Sequence, residues 1–118
     1  MIRYAIESDI QSIKKLADLH KKELGFTNIA IIRDAQQHNQ IIIIEQEDII
    51  VGFIRFRLRK DDIVVIYEIV VGPKRMGYGT QLLRHFIKIS KESNKQYIRL
   101  KCSIELGANL FYKKMRFH

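Results

Sequence analysis

The stretch Ile63-Val-Val-Ile-Tyr-Glu-Ile-Val-Val71, continuing as Gly72-Pro-Lys-Arg-Met-Gly-Tyr-Gly-Thr80 and Gln81-Leu-Leu83, decides the fold. Nine mostly β-branched residues read as a buried strand. The basic glycine segment reads as a loop, and the leucines open an amphipathic helix. Such a loop suits an anion. Gly77 and Gly79 allow close backbone approach, and the helix start aims unpaired N–H groups and its positive dipole end outward. Lys74 and Arg75 add full charges. One carboxylate, Glu68, interrupts the apolar strand just upstream, and an acid placed beside an anion cradle argues for an enzyme.

Working outward, Ile49 to Arg59 alternates so that Gly52, Ile54, Phe56 and Leu58 share one strand face and Arg55, Arg57 and Arg59 the other. Lys60-Asp61-Asp62 then turns the chain into the central strand, predicting an antiparallel hairpin. Turn loops of different length give Glu68 different partners, so its register stays open between them. Ile41 to Glu45 is a further strand, separated from Ile49 by a turn at Gln46-Glu47-Asp48. Ile2 to Ile6 is a short strand. Ser8 with Gln11 forms a capping-box pattern before a helix that buries Ile10, Ile13, Leu16 and Ala17 and ends near Gly25. Thr27 starts a second helix through Ile29 and Ile32, and both helices are expected on one side of the sheet. Beyond the glycine loop, Leu82, Leu83, Phe86 and Ile87 define a helix to about Ser93, with Asn94 as its stop. Tyr97 to Cys102 is another strand, and Glu105 to Met115 a last helix presenting Ala108, Phe111, Tyr112 and Met115. The expected class is a single α/β layered domain over residues 1–118, with a mixed sheet flanked by helices.

A hydrophobic fraction of 47% with one proline excludes a disordered chain. The formal charge of +8 implies an acidic partner: a phosphorylated cofactor, a nucleic acid or an acidic protein. A lone cysteine, Cys102, rules out an internal disulfide, and with four scattered histidines it gives no set of metal ligands. Arg3, Glu7 and Asp9 interrupt any leader-like apolar start, and the apolar runs are too short for a bilayer. A cytoplasmic setting without a membrane is the expectation.

With loop and last helix placed, the chain resembles the GNAT superfamily of acyl-CoA-dependent N-acyltransferases. Three pieces carry the resemblance. Ile2-Arg3-Tyr4-Ala5 with Ser8-Asp9-Ile10 resembles the first strand and the start of the first helix. Lys74-Arg75-Met76-Gly77-Tyr78-Gly79-Thr80 resembles the pyrophosphate loop Arg/Gln-x-x-Gly-x-Gly/Ala. Ala108-Asn109-Leu110-Phe111-Tyr112-Lys113-Lys114-Met115-Arg116-Phe117 resembles the final Ala-x-x-Phe-Tyr-x-Lys-x-Gly-Phe helix. Three departures stand beside them. Lys74 replaces the usual Arg or Gln in a short loop, and Arg116 replaces the helix-closing glycine. The sequence also stops where the family adds one or two strands, which predicts an open edge on the Tyr97 to Cys102 strand and a homodimer that covers it.

The resemblance implies a mostly antiparallel sheet and transfer of an acetyl group from acetyl-CoA to a primary amine in a ternary complex. An ammonium has a pKa of about 10.4, so only about one in 10³ to 10⁴ such amines is free at neutral pH and a general base is required. Glu68 is the candidate base; the competing reading is an ion pair with Arg55 or Arg57 across the hairpin. By resemblance Tyr112 is the acid that protonates the departing thiolate. The backbone of Ile69, Val70 and Val71 is expected to hold the pantetheine arm, the loop from Lys74 to Thr80 the pyrophosphate, and Asn109 is a further candidate contact to the cofactor. The acceptor is a small-molecule or protein amine. The alternative is a non-catalytic module of the same fold that binds CoA or nucleic acid.

Overall fold

The computed structural model describes residues 1–19, 28–73 and 75–100. Among the described residues five strands form one sheet in the order of the sequence: β1 (Ile2–Tyr4), β2 (Ile41–Gln46), β3 (Ile49–Leu58), β4 (Ile63–Val71) and β5 (Tyr97–Leu100). The first four pair antiparallel, and β5 returns parallel to β4 after a crossover through a helix. The sheet is therefore mixed and mostly antiparallel, as expected. Two helices, α1 (Ile10–Leu19) and α2 (Ile29–Gln37), lie on one face, and α3 (Tyr78–Glu92) lies on the other.

Alternation along the strands, reset at the register shifts, builds two apolar cores. Ile41, Ile43, Phe53 and Val70 meet Ile13, Ala17 and Ile32 of α1 and α2. Ile42, Ile44, Ile54, Phe56, Val64 and Ile66 meet Leu82, Leu83 and Phe86 of α3. Phe56 and Phe86 meet edge to face, with centroids 5.2 Å apart. The predicted face of Gly52, Ile54, Phe56 and Leu58 is thus the α3 face. A Cβ on Gly52 would sit 2.9 Å from the Val70 carbonyl and 3.1 Å from Leu82, so only glycine lets α3 settle this closely on the sheet.

Local signals differ from expectation at both helix starts. Ser8 caps nothing; residues Glu7–Asp9 form a 3-10 turn, and the Asp9 carboxylate accepts the Ile6 N–H at 2.8 Å. Asp9 outcompetes Ser8 because Arg3 of β1 also grips it, at 2.7 Å. The second helix is capped by Asn28, whose side chain accepts the Ile31 N–H at 2.9 Å. Thr27, the predicted start, lies outside the described residues, as does the predicted end of the first helix near Gly25. The β2–β3 turn has just two residues, Glu47 and Asp48, both left-handed with φ of 51° and 65°. At the end of α3 the stop falls where expected, with Asn94 left-handed at φ 61°.

The hairpin that sequence left open has one definite register. Arg55 faces Glu68 while Phe56 faces Ile66, which makes Tyr67 the extra residue of a β-bulge on β4. Ile66 points to the α3 core, whereas Val70 points to the α1–α2 core. The bulge therefore resets the alternation and leaves Glu68 on the face of α1 and α2.

Candidate active site

Glu68 is 4% exposed. Its carboxylate accepts a hydrogen bond from Nε of Arg55 directly across the hairpin. The guanidinium of Arg55 in turn lies over the ring of Tyr67, 4.8 Å from its centroid. The bulge thus carries an aromatic ring, an arginine and a buried acid as one unit. Of the two partners expected for Glu68, the structure selects Arg55. Arg57 is exposed on the next turn of the pleat.

Past Glu68, the side chains of Ile69, Val70 and Val71 go into the cores: Val70 under α1 and α2, Ile69 and Val71 under α3. What these residues offer outward is backbone. One edge pairs with Ile54, Phe53 and Gly52 of β3. Among the described residues no strand pairs with the other edge, because β5 reaches only Ile63 to Ile66.

Val71 leads into the glycine loop. Arg75 is left-handed at φ 64° and Gly77 at φ 81°, and Gly77 is the residue before the first turn of α3. The first helical hydrogen bond runs from the Gln81 N–H to the Gly77 carbonyl at 3.1 Å. The amides of Tyr78, Gly79 and Thr80 therefore precede the helical ladder, and among the described residues no side chain caps them. No acidic residue stands in this first turn. Free amides, a helix dipole and the Arg75 charge converge there, which is the physical recipe for holding a phosphate. Met76 is 60% exposed beside it. Lys74, Asn109 and Tyr112, also named from the sequence, lie outside the described residues.

A second polar cluster escaped sequence reading. Arg3 donates to Asp9 at 2.7 and 3.2 Å and to Glu45 at 3.1 and 3.4 Å. Hydrogen bonding from Arg3 is the main cause that holds the Asp9 carboxyl below the usual carboxylate range, and Asp9 likewise stabilises the charged guanidinium. The cluster lines a groove of about 520 Å³ with Lys15, Asp48 and Ile50. Among the described residues, none of those predicted for catalysis or cofactor binding borders that groove. Arg3 and Asp9 are 6 residues apart, but Glu45 joins them from 42 residues beyond Arg3, so no local motif announces the whole cluster.

The strand thus passes through a bulge and a left-handed glycine turn into a helix start whose amides, at the end of β4, are of the kind that can hold a phosphate. The chain belongs to the acetyltransferase (GNAT) family, whose sequence model matches residues 5–117. Comparison with curated protein sequences gives no match. Among solved structures, Ard1 from Thermoplasma volcanium is similar with a TM-score of 0.87 and 26% identity, covering 100% of this chain and 82% of that one. Rv2747 from Mycobacterium tuberculosis, in complex with CoA, is similar with a TM-score of 0.82 and 21% identity, over 98% of this chain and 69% of that one. N-acetylglutamate synthase from Neisseria gonorrhoeae, complexed with coenzyme A and N-acetyl-glutamate, reaches a TM-score of 0.82 at 19% identity. This chain, matched over 97% of its length, spans just 27% of that enzyme.

Proposed function

We propose that this chain is an acetyl-CoA-dependent N-acetyltransferase that transfers the acetyl group directly to a primary amine. The observation that carries the reading is the uncapped, acid-free start of α3, reached through left-handed Arg75 and Gly77 at the end of the strand that bears Glu68. Family membership and the CoA held by two of the similar structures support the same ligand.

In this reading the amides of Tyr78, Gly79 and Thr80, with Arg75 and Lys74, hold the pyrophosphate. The edge of Ile69 to Val71 away from β3 takes the pantetheine arm as an added strand, and an amide there polarises the thioester carbonyl. The amine nitrogen attacks the thioester carbon, forming the C–N bond as the C–S bond breaks. Glu68, oriented by Arg55, removes the amine proton, and Tyr112 delivers a proton to the departing sulfur.

The Arg55 ion pair also favours a second role for Glu68, as a tie that fixes the bulge and leaves proton removal to water. Thiol release from acetyl-CoA in the presence of polyamines, amino acids and peptides separates the two. As base, Glu68→Gln lowers kcat by about 10²-fold or more with a rising pH profile; as a tie, it lowers the melting temperature and spares kcat. Tyr112→Phe is expected to lower kcat in either case. Full activity of both variants would remove the assigned chemistry.

A further inference from the structure

β3 presents Arg55, Arg57 and Arg59 to the face away from α3, and two of the three are already matched by carboxylates. Arg55 is bound to Glu68, and Arg59 meets Asp61 at 2.8 Å. Arg57 has no carboxylate partner among the described residues, and neither has Arg99 on β5. The sheet register brings these two together. Arg57 stands opposite Val65 of β4, and Val65 stands opposite Arg99 of β5. At ordinary strand spacing their Cα atoms are about 10 Å apart, within easy convergence of two arginine side chains.

Their shared face follows from their neighbours. Phe56, Ile66 and Ile98 all turn toward α3. Arg57, Val65 and Arg99 therefore turn the other way, toward the side that carries Glu68. Val65, between the two cations, is apolar and 3% exposed. Like charges flanking one residue of a sheet repel, and an anion held between them relieves that repulsion. Two guanidiniums on either side of an apolar residue match a carboxylate, which accepts paired N–H donors in its own plane. Two residues, Ile66 and Tyr67, separate Val65 from Glu68 and Tyr67 is taken up by the bulge, which places the arginines roughly 7–10 Å from the acid.

We propose that Arg57 and Arg99 form the recognition site for a carboxylate on the acetyl acceptor, several atoms removed from the amine that reaches Glu68. This rests on the acetyltransferase reading for the amine and on geometry alone for the anion.

The test uses the full chain with two matched probe sets: glutamate against glutamine, and short peptides with a free N-terminus and Glu against Gln at the second or third position. With acetyl-CoA saturating, kcat/KM is expected to favour the acidic member of one set by about tenfold or more, the discrimination that hydrogen bonds to a charged group supply. The favoured set tells a free amino acid from a peptide. Arg57→Gln and Arg99→Gln each remove about tenfold of that preference through KM, and Arg57→Lys restores part of it. Backbone amide shifts of labelled protein titrated with glutamate provide a second readout independent of turnover. They are expected at Val65 and Arg99 and should vanish in Arg57→Gln. Shifts there without any acetyl transfer would end the acetyltransferase reading and keep the carboxylate site. Equal kcat/KM within both sets, equal losses for acidic and neutral acceptors in the variants, or transfer without those shifts would overturn the site.

Discussion

The two faces of the sheet are written by the same strands, yet they are built on different physics. Toward α3 every strand sends apolar groups, Ile42, Ile44, Ile54, Phe56, Val64 and Ile66, and the one glycine among them, Gly52, lets the helix come closer. Toward α1 and α2 the apolar patch of Ile41, Ile43, Phe53 and Val70 is bounded by ionic groups at both ends. Arg3, Asp9 and Glu45 stand at the β1 side, and Arg55 with Glu68 at the β4 side. One face thus supplies cohesion. The other spends part of its area on charges that only specific partners can satisfy, and there the candidate chemistry sits.

Substitutions on the two faces should separate in size. Phe86→Ala removes the helix ring that meets Phe56 and is expected to cost about 3–5 kcal/mol in urea unfolding, the usual loss for a fully buried phenylalanine. Arg3→Gln strands the buried Asp9 carboxylate and is expected to cost about 1.5–3 kcal/mol at neutral pH. Its pH dependence has a definite sign. Asp9 has a lowered folded-state pKa, so its contribution is fully present above the unfolded value of about 3.9 and is lost as pH falls through the folded value. Urea midpoints measured downward from pH 5 should therefore fall for the wild type and fall less for Asp9→Asn. Arg57→Gln changes an exposed side chain with no carboxylate partner among the described residues, and its cost should stay within about 0.5 kcal/mol. A large loss there would mean that the open face carries structural load and would erase the contrast.

Much of this architecture was legible because the chain spells it with isoleucine and valine at period two and with leucine and phenylalanine at helical spacing. Gly77 before Leu82 and Leu83 marked the loop and the helix that follows, and the left-handed φ of 81° shows why glycine stands there. The bulge at Tyr67 was not legible. Tyrosine is an ordinary strand residue, and the extra position arises from how Arg55 and Phe56 choose partners across the hairpin. Ser8 misled for a similar reason: Asp9 becomes the cap through Arg3, a contact from another element. Arg57 and Arg99 lie 42 residues apart in sequence and share a row through strand order alone. Of the two catalytic candidates, Glu68 is placed on the bulge beside Arg55, while Tyr112 rests on its match to the final-helix motif.

The central claim is that the start of α3 and the edge of β4 hold acetyl-CoA. Thermal unfolding of the wild type with and without acetyl-CoA tests it most directly, since a ligand that binds the native state alone raises its stability. At about a hundredfold excess over Kd the expected gain is about 2.7 kcal/mol, or a melting temperature higher by roughly 10 °C. An unchanged melting temperature at millimolar acetyl-CoA would contradict the account.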